Sequence, residues 1–488
     1  MKTGLAVALW ALTVPGAAVA EDLLKIYDDA LQSDPQMREA SANHLATLEA
    51  KPQARALLLP QVNGTASLEK DRTWEDESLP NLFTDPLNQQ KLILVNEEFS
   101  GVVRPYTGQW AVQLRQNIFN WENWENLRRA DHTVAQAEAD YRAAEENLIQ
   151  RVCQAYFTVL AARDDLEAQQ ASRQAISNQL EQANKRFEVG LIAVTDVEEA
   201  KAANDQAAAA VIAAKRTLAT NVEQLREITG EHYDTLARPG PDIPLKTPQP
   251  ADEERWVQVS LDQNLQVVSS RLAAEIARDS IRVAEGGHLP TLDLVAGYAQ
   301  YKQTSTEIFP AVPSIDFFGA VGPTLNETHT SSIALQLNVP IFSGGLVTSQ
   351  VHQAQYQWIA AKERLARTTR DTERSARDAY LSVNSDIAHV QSLHQGLESS
   401  KTALKATEAG YEVGTRTAVD VLNARRTLVQ AQTDYSHSRY DYINDIINLR
   451  LASGALDRAT LEDINRWLDE TVPTSAAPAV TPSAATQP

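Results

Sequence analysis

Apolar and polar residues alternate one by one in four segments of this chain. Val62, Gly64, Ala66 and Leu68 interleave with Gln61, Asn63, Thr65, Ser67 and Glu69. Trp110, Val112 and Leu114 interleave with Gln109, Ala111, Gln113 and Arg115. Leu292, Leu294, Ala296 and Tyr298 share one face after Pro290, and Ile333, Leu335, Leu337, Val339 and Ile341 stand apart from Gln336, Asn338 and Pro340. A two-residue period with one apolar face predicts strands. A transmembrane β-barrel requires segments of about ten residues with this alternation, and a half-buried soluble sheet produces the same pattern. The segments pair across two polar stretches, 73–107 and 303–330, expected to be loops.

Elsewhere the period lengthens. A first helix is expected over 36–58, stopped by Pro60, because a residue preceding proline avoids the helical region. Tyr141, Leu148, Val152, Tyr156 and Val159 recur in three-, four- and seven-residue steps, as do Val383, Ile387, Val390, Leu393, Leu397, Leu404 and Tyr411. With abundant Ala between them, these positions predict closely packed helices over 124–188 and 347–409. Some sixty residues at ~1.5 Å each make a rod of roughly 100 Å. Helices over 195–229 and 418–453 follow, ended by Gly230 and Gly454. Each long pair reads as an antiparallel hairpin whose tip is closed by Gly190 or Gly414, since a left-handed closing residue is commonly Gly. Thr195-Asp196-Val197-Glu198 and Thr417-Ala418-Val419-Asp420 both resemble a capping box opening the next helix.

This order of elements occurs twice. Leu59-Pro60 recurs as Leu289-Pro290, Ile118-Phe119 as Ile341-Phe342, and Phe187-Glu188-Val189-Gly190 as Tyr411-Glu412-Val413-Gly414. A period this long marks a duplicated unit rather than a short solenoid repeat. The expected organisation is an export signal over 1–20, a first repeat over 21–230, a Pro-rich linker over 231–254 and a second repeat over 255–455. A further segment over 456–471 precedes a disordered tail over 472–488, which lacks packing residues.

Composition narrows the class. The chain has 488 residues and a formal charge of −20. Such acidity counts against nucleic acid, because little basic surface can replace phosphate counterions, and fits a path that favours cations. Lys2, the apolar run to Val19 and Ala18-Val19-Ala20 form a secretory signal pattern. The one cysteine, Cys153, rules out an internal disulfide and reads as a buried apolar residue. Beyond the signal no apolar stretch is long enough to span a bilayer as a helix, so membrane entry would be by strands. Four strands cannot close a barrel, and an open edge inside lipid is not tolerated. Several copies of the chain would then share one barrel, eight strands from two copies or twelve from three.

Several motifs carry a family resemblance. They are the Leu-Pro junctions at 59–60 and 289–290, Val-Pro-Ile-Phe-Ser-Gly-Gly at 339–345, Arg-Phe-Glu-Val-Gly-Leu at 186–191, and Gly-Tyr-Glu-Val-Gly-Thr-Arg-Thr at 410–417 followed by Val-Asp-Val-Leu at 419–422. In order, spacing and duplication, from about residue 22 to 455, the chain resembles TolC-type outer-membrane efflux proteins. The lack of a lipid-anchor cysteine places it with the non-lipoprotein branch. The resemblance implies a mainly α fold with a β-barrel portion: long α-helical hairpins forming a periplasmic coiled-coil barrel, and four transmembrane β-strands per chain in a shared twelve-stranded barrel of a homotrimer. It implies the outer membrane of a Gram-negative bacterium, with a large periplasmic portion. The partners implied are outer-membrane lipid, a periplasmic adaptor (a membrane fusion protein) and an inner-membrane efflux or ABC-type pump. The function implied is a passive exit duct for efflux and type I secretion.

The resemblance also assigns roles at the tips. Thr195, Asp196, Tyr411 and Arg416 match a polar network that holds the periplasmic entrance shut. Asp420 matches an acidic ring at the narrowest point, where three carboxylates facing one axis would attract cations and raise each other's pKa. The family's second acid, one turn on, is replaced by Asn423, which implies a single ring. Val189, Gly190, Leu191, Val413, Gly414 and Thr415 form the tips where an adaptor would dock. Capping alone also accounts for Thr195 and Thr417, with Glu198 and Asp420 capping back, and for Asp420 the capping and gating roles are compatible.

Nothing recommends an enzyme. The nine histidines are scattered, and His389 and His394 are five apart, which does not share one helical face. Ser343-Gly344-Gly345 lacks the lysine and spacing of a phosphate loop and reads as a strand-to-helix bend. Trp121 and Trp124 are read as interfacial anchors or as packing residues between strands and helices. No catalytic, metal or cofactor site is expected. The rival reading is a trimeric coiled-coil surface stalk or adhesin, which would need neither returning hairpins nor alternating strand pairs.

Overall fold

A computed structural model of the chain describes residues 21–85, 87–240, 243–308 and 321–475. The expected export signal and tail residues 476–488 lie outside them. In order the elements are α1 (Leu23–Ser33), α2 (Pro35–Leu48), α3 (Ala50–Ala56), β1 (Gln61–Lys70), β2 (Thr73–Asp85), β3 (Asn88–Phe119), α4 (Trp121–Glu188), α5 (Val194–Thr229), β4 (Thr235–Pro239), α6 (Glu253–Gln263), α7 (Leu265–Glu285), β5 (Thr291–Ile308), β6 (Val321–Asn338), α8 (Leu346–Glu412), α9 (Ala418–Ala452), α10 (Arg458–Asn465) and β7 (Leu468–Pro473). They form two compact units. One holds the residues up to Thr47, Ala135–Ala274 and Ala361 onward; the other holds Leu48–Val134 and Glu275–Ala360.

The second unit is α3, short stretches of α4, α7 and α8, and an antiparallel sheet in the order β1-β3-β5-β6, with β2 taking over from β1 along β3. Register puts the alternating residues of all four segments on one face. Val62 faces Leu114, Leu114 faces Ala296 and Ala296 faces Ile333; Val112 likewise faces Tyr298. Directly opposed residues project from the same side of a sheet. One side therefore carries Val, Leu, Ile and Tyr, and the other Gln61, Gln113, Arg115, Asp293 and Gln336. On the polar side Arg115 holds Asp293 at 2.6 Å, and Asn117 donates to the same carboxylate at 3.0 Å. The outer edges of β1 and β6 have no strand partner among the described residues.

Two expectations for the sheet are corrected. Most of 73–107, expected as loop, is the β2–β3 ribbon, and 303–308 and 321–330 extend β5 and β6. Backbone pairing between adjacent strands needs no side-chain alternation, and this ribbon, with Leu92-Ile93-Leu94-Val95 in one run among polar residues, carries no two-residue period. Conversely, Val339 and Ile341 are not in a strand. β6 stops at Asn338 because Pro340 has no N–H to pair, and Ile341 is 94% exposed.

Helices dominate the first unit. Leu23 and Ile26 from α1, Leu148, Val152, Tyr156 and Phe157 from α4, Leu218 and Leu225 from α5, Val383 from α8, and Tyr442 and Ile443 from α9 are all buried in one core with Leu461 of α10 and Val472 of β7. Around it, β4 and β7 pair antiparallel. The expected disordered tail therefore begins too early. Val472 is buried in β7, Thr474 donates its N–H to Asp234 O at 2.9 Å, and Arg163 donates to Ser475 O at 3.0 Å. The helix expected over 36–58 is two helices, preceded by α1. Asp34 breaks the run because Pro35 follows it, and its carboxylate accepts the Met37 N–H at 2.9 Å. Toward the hairpin ends the core thins to Ile176, Ala203, Ala207 and Leu422. No described helix is long and apolar enough to cross a membrane.

Candidate functional site

Both tips close by the same backbone device. Gly190 N–H donates to Phe187 O at 2.9 Å and Leu191 N–H to Arg186 O at 2.9 Å. In the second tip Gly414 N–H donates to Tyr411 O at 3.1 Å and Thr415 N–H to Gly410 O at 2.8 Å. This is the Schellman pattern, which needs a left-handed residue, and Gly190 and Gly414 adopt φ of 76° and 78°. The turn presents Val189, Leu191 and Val413 to solvent.

After the turns the two copies part. α9 opens with a complete capping box: Asp420 Oδ2 accepts from Thr417 N–H at 2.9 Å, and Thr417 Oγ1 accepts from Asp420 N–H at 3.2 Å. The Thr417 backbone and hydroxyl donors, with the Arg416 charge nearby, hold the Asp420 carboxyl below its ordinary range. The matching box at Thr195 does not form. The N-cap of α5 is Ala193, with no side-chain cap, and Val194 is already helical. Counting from the caps, Asp196 is the counterpart of Asp420, one position per repeat, and Glu199 is the counterpart of Asn423. Thr195 lies inside the first turn, where its hydroxyl is too late to reach the free N–H groups of N2 and N3.

Within one chain the proposed gate residues are not brought into contact with one another among the described residues. Among the described residues, neither Tyr411 nor Arg416 hydrogen-bonds to Thr195 or Asp196. Tyr411 instead carries the Arg186 guanidinium 5.1 Å above its ring. Arg416 folds back on its own tip: its N–H donates to Gly410 O at 3.2 Å, and a Cβ on Gly410 would meet its Cγ at 2.8 Å. Further along, Arg425 of α9 pairs with Glu408 of α8, and Arg426 donates to Gln206 of α5 at 2.7 Å. Arg186, Gly410 and Arg426 were not anticipated. A signal for two of them lay in the repeat alignment, where Arg186 matches Gly410 and Phe187 matches Tyr411.

A second polar site lies higher on the same helices. Asp386 of α8 and Asp441, Asn444 and Asp445 of α9 line a groove of about 440 Å³ with Gln150 and Gln154 of α4. Burial and a hydrogen bond with Asp445 push Asp386 up to about 7, and burial raises Asp441. The spacing of Asp441 and Asp445 was visible in the sequence, but their approach to Asp386 was not. The described residues include no group of three or more His, Cys, Asp or Glu that could hold a metal.

A family model described as "Outer membrane efflux protein" matches residues 26–231 and 256–455. The outer membrane protein TolC of Vibrio cholerae serotype O1 is 34% identical over 456 residues, covering 93% of this chain and 96% of that protein. TolC of Escherichia coli K12 is 33% identical, covering 93% and 87%. The alkaline protease secretion protein AprF of Pseudomonas aeruginosa is 27% identical, covering 91% and 87%. In fold, the CmeC outer membrane channel of Campylobacter jejuni superposes with a TM-score of 0.68 at 17% identity, over 96% of this chain and 98% of that one. The outer membrane protein VceC of Vibrio cholerae gives 0.66 at 18%, over 88% and 96%. With the duplicated strand pairs and helical hairpins already in hand, these matches place the chain in the outer membrane efflux protein family.

Proposed function

We propose that this protein is the outer-membrane exit duct of efflux and type I secretion machinery, a passive conduit assembled from three copies. The observation that carries the reading is the sheet. In four strand positions (β1 continued by β2, then β3, β5 and β6) a mainly apolar face backs a polar one, and the outer edges of β1 and β6 have no strand partner among the described residues. Lipid suits the apolar face and water the polar one, and free edges inside lipid must be paired by neighbours. Three copies supply twelve strands. The long hairpins then cross the periplasm, and their tips form the entrance.

At that entrance Thr195, Asp196, Tyr411 and Arg416 link neighbouring hairpins, and the Asp420 carboxylates form one acidic ring. Within each chain the Thr417 donors favour the charged form of Asp420, which opposes the upward push that three neighbouring carboxylates exert on one another. A periplasmic adaptor docks on Val189, Gly190, Leu191, Val413, Gly414 and Thr415, and an inner-membrane pump supplies the energy. Opening is a two-state movement of the hairpins biased by those contacts.

Outer-membrane fractionation with mass measurement in detergent tests the duct; a soluble periplasmic monomer would defeat it. For the gate, replacing Tyr411 and Arg416 together with Phe and Ser should raise single-channel conductance. Unchanged conductance and antibiotic leakage would confine these residues to shaping the turn.

A further inference from the structure

The lipid-facing side of the sheet carries a built hollow near its far end. Leu68 of β1, Gly108 and Trp110 of β3, and Gln300 and Lys302 of β5 line a depression of about 540 Å³. Gly108 makes it: a Cβ there would already press the Leu68 methyl at 3.2 Å. Trp110 forms one wall. Its Nε1–H donates to Gln300 Oε1 at 2.7 Å, and its ring stacks at a tilt on Tyr298, centroids 5.4 Å apart. Trp and Tyr favour the depth where acyl chains meet headgroups.

Cations border the hollow on the side away from the apolar band. Lys70 faces Tyr106 in register, Lys302 faces Gly108, and Arg104 lies one residue pair further along the same face of β3. Lys70 and Lys302 flank β3 on either side and are offset by two residues along it, so two strand spacings and two residue rises separate their backbones by about 12 Å. All three are exposed, and none forms an ion pair among the described residues. The nearest acid on this face is Glu327, opposite Lys302. It accepts from Gln300 at 2.5 Å and lies 3.5 Å from His329. Glu69 occupies an odd position and projects from the other face.

We propose that this hollow is a binding site for a phosphorylated lipid. An acyl chain lies over Gly108 against Leu68 and Trp110, while the phosphate sits between the Lys70 and Lys302 ammonium groups with Arg104 in reach. Charge-assisted hydrogen bonds to phosphate and apolar contact in the hollow act at the two depths where one lipid presents those two parts. The site rests on the assignment of the apolar face to lipid.

Native mass spectrometry of the detergent-solubilised protein, incubated with dipalmitoyl phosphatidic acid or dipalmitoyl phosphatidylcholine, tests it. Wild type should retain phosphatidic acid at least about fivefold more than the zwitterionic lipid, given what each cation contributes near an anionic headgroup. The pair Lys70→Gln and Lys302→Gln should erase that preference, and Lys70→Arg with Lys302→Arg should keep it. Equal retention of both lipids by wild type, or a preference that survives the Gln pair, overturns the site while leaving the barrel intact. A lipid-free monomer in the same spectrum overturns the barrel reading itself.

Discussion

Arg186, in the last turn of α4, lies over the ring of Tyr411, in the last turn of α8, with 5.1 Å between the guanidinium carbon and the ring centroid. It connects the tips of two successive hairpins of one chain, and it joins positions at which the two repeats differ. Tyr411 is therefore held through its ring face, and its hydroxyl remains available to a neighbouring hairpin.

That contact makes a discriminating prediction. At a partly exposed site a cation–π contact contributes about 0.5–1 kcal/mol, so Arg186→Gln should raise the open fraction of the channel roughly two- to fivefold. Tyr411→Phe should retain the Arg186 contact and lose only the hydroxyl, whereas Tyr411→Ala loses both. Single-channel recording of the three variants separates them. If Phe and Ala behave alike, the ring contact is not what holds the tip.

The acidic ring proposed at Asp420 has its own expected outcome. With Asn423 in place of a second acid, block by trivalent cations should be weaker than in Asn423→Asp, which adds three carboxylates one turn along from Asp420. A shift of about tenfold in blocking concentration corresponds to about 1.4 kcal/mol. Equal block in the two proteins would exclude this position from the constriction.

Asp34 and Arg151 should dominate local stability in the helical unit. Asp34 is 2% exposed and receives Arg151 at 2.6 Å as well as the Met37 N–H. Burial disfavours its charge, but these donors outweigh burial and lower its pKa. Its stabilisation is thus present above the ordinary carboxylate range and is lost as pH falls through the lowered value. Removing Arg151 strands a buried charge, so Arg151→Met should cost about 3–5 kcal/mol by thermal unfolding. Adding Asp34→Ser, which keeps a capping oxygen, should recover most of it. A loss below 1 kcal/mol would show that water already solvates Asp34.

The sign reverses at Asp386. Its folded pKa is about 7, raised by burial and by Asp445, with Asp441 adding to the repulsion. The native state therefore binds a proton that the unfolded chain has released, and stability falls as pH rises from about 4 to about 7. Wild type should melt higher at pH 5 than at pH 7.5. Asp386→Asn should flatten that difference and stabilise the protein at pH 7.5 by about 1 kcal/mol, a figure discounted for solvent screening. A steeper pH dependence in the variant would rule out Asp386 as its source.

The sequence by itself determined the elements and the faces they would bury. Alternation in Val62–Leu68 and Ile333–Leu337 and the three- and four-residue steps of α4 and α8 are local patterns, set by backbone geometry and the exclusion of apolar groups from water. Gly190 and Gly414 were legible for the same reason, since only a left-handed residue closes such a turn. Tertiary structure decided what depends on distant partners. The β2–β3 ribbon exists because one backbone satisfies another, which no side-chain period reports. Arg186 meets Tyr411, and Asp386 meets Asp445, only after helices far apart in sequence have packed. A contact between distant residues is a property of the packing, and neither partner's local pattern records it.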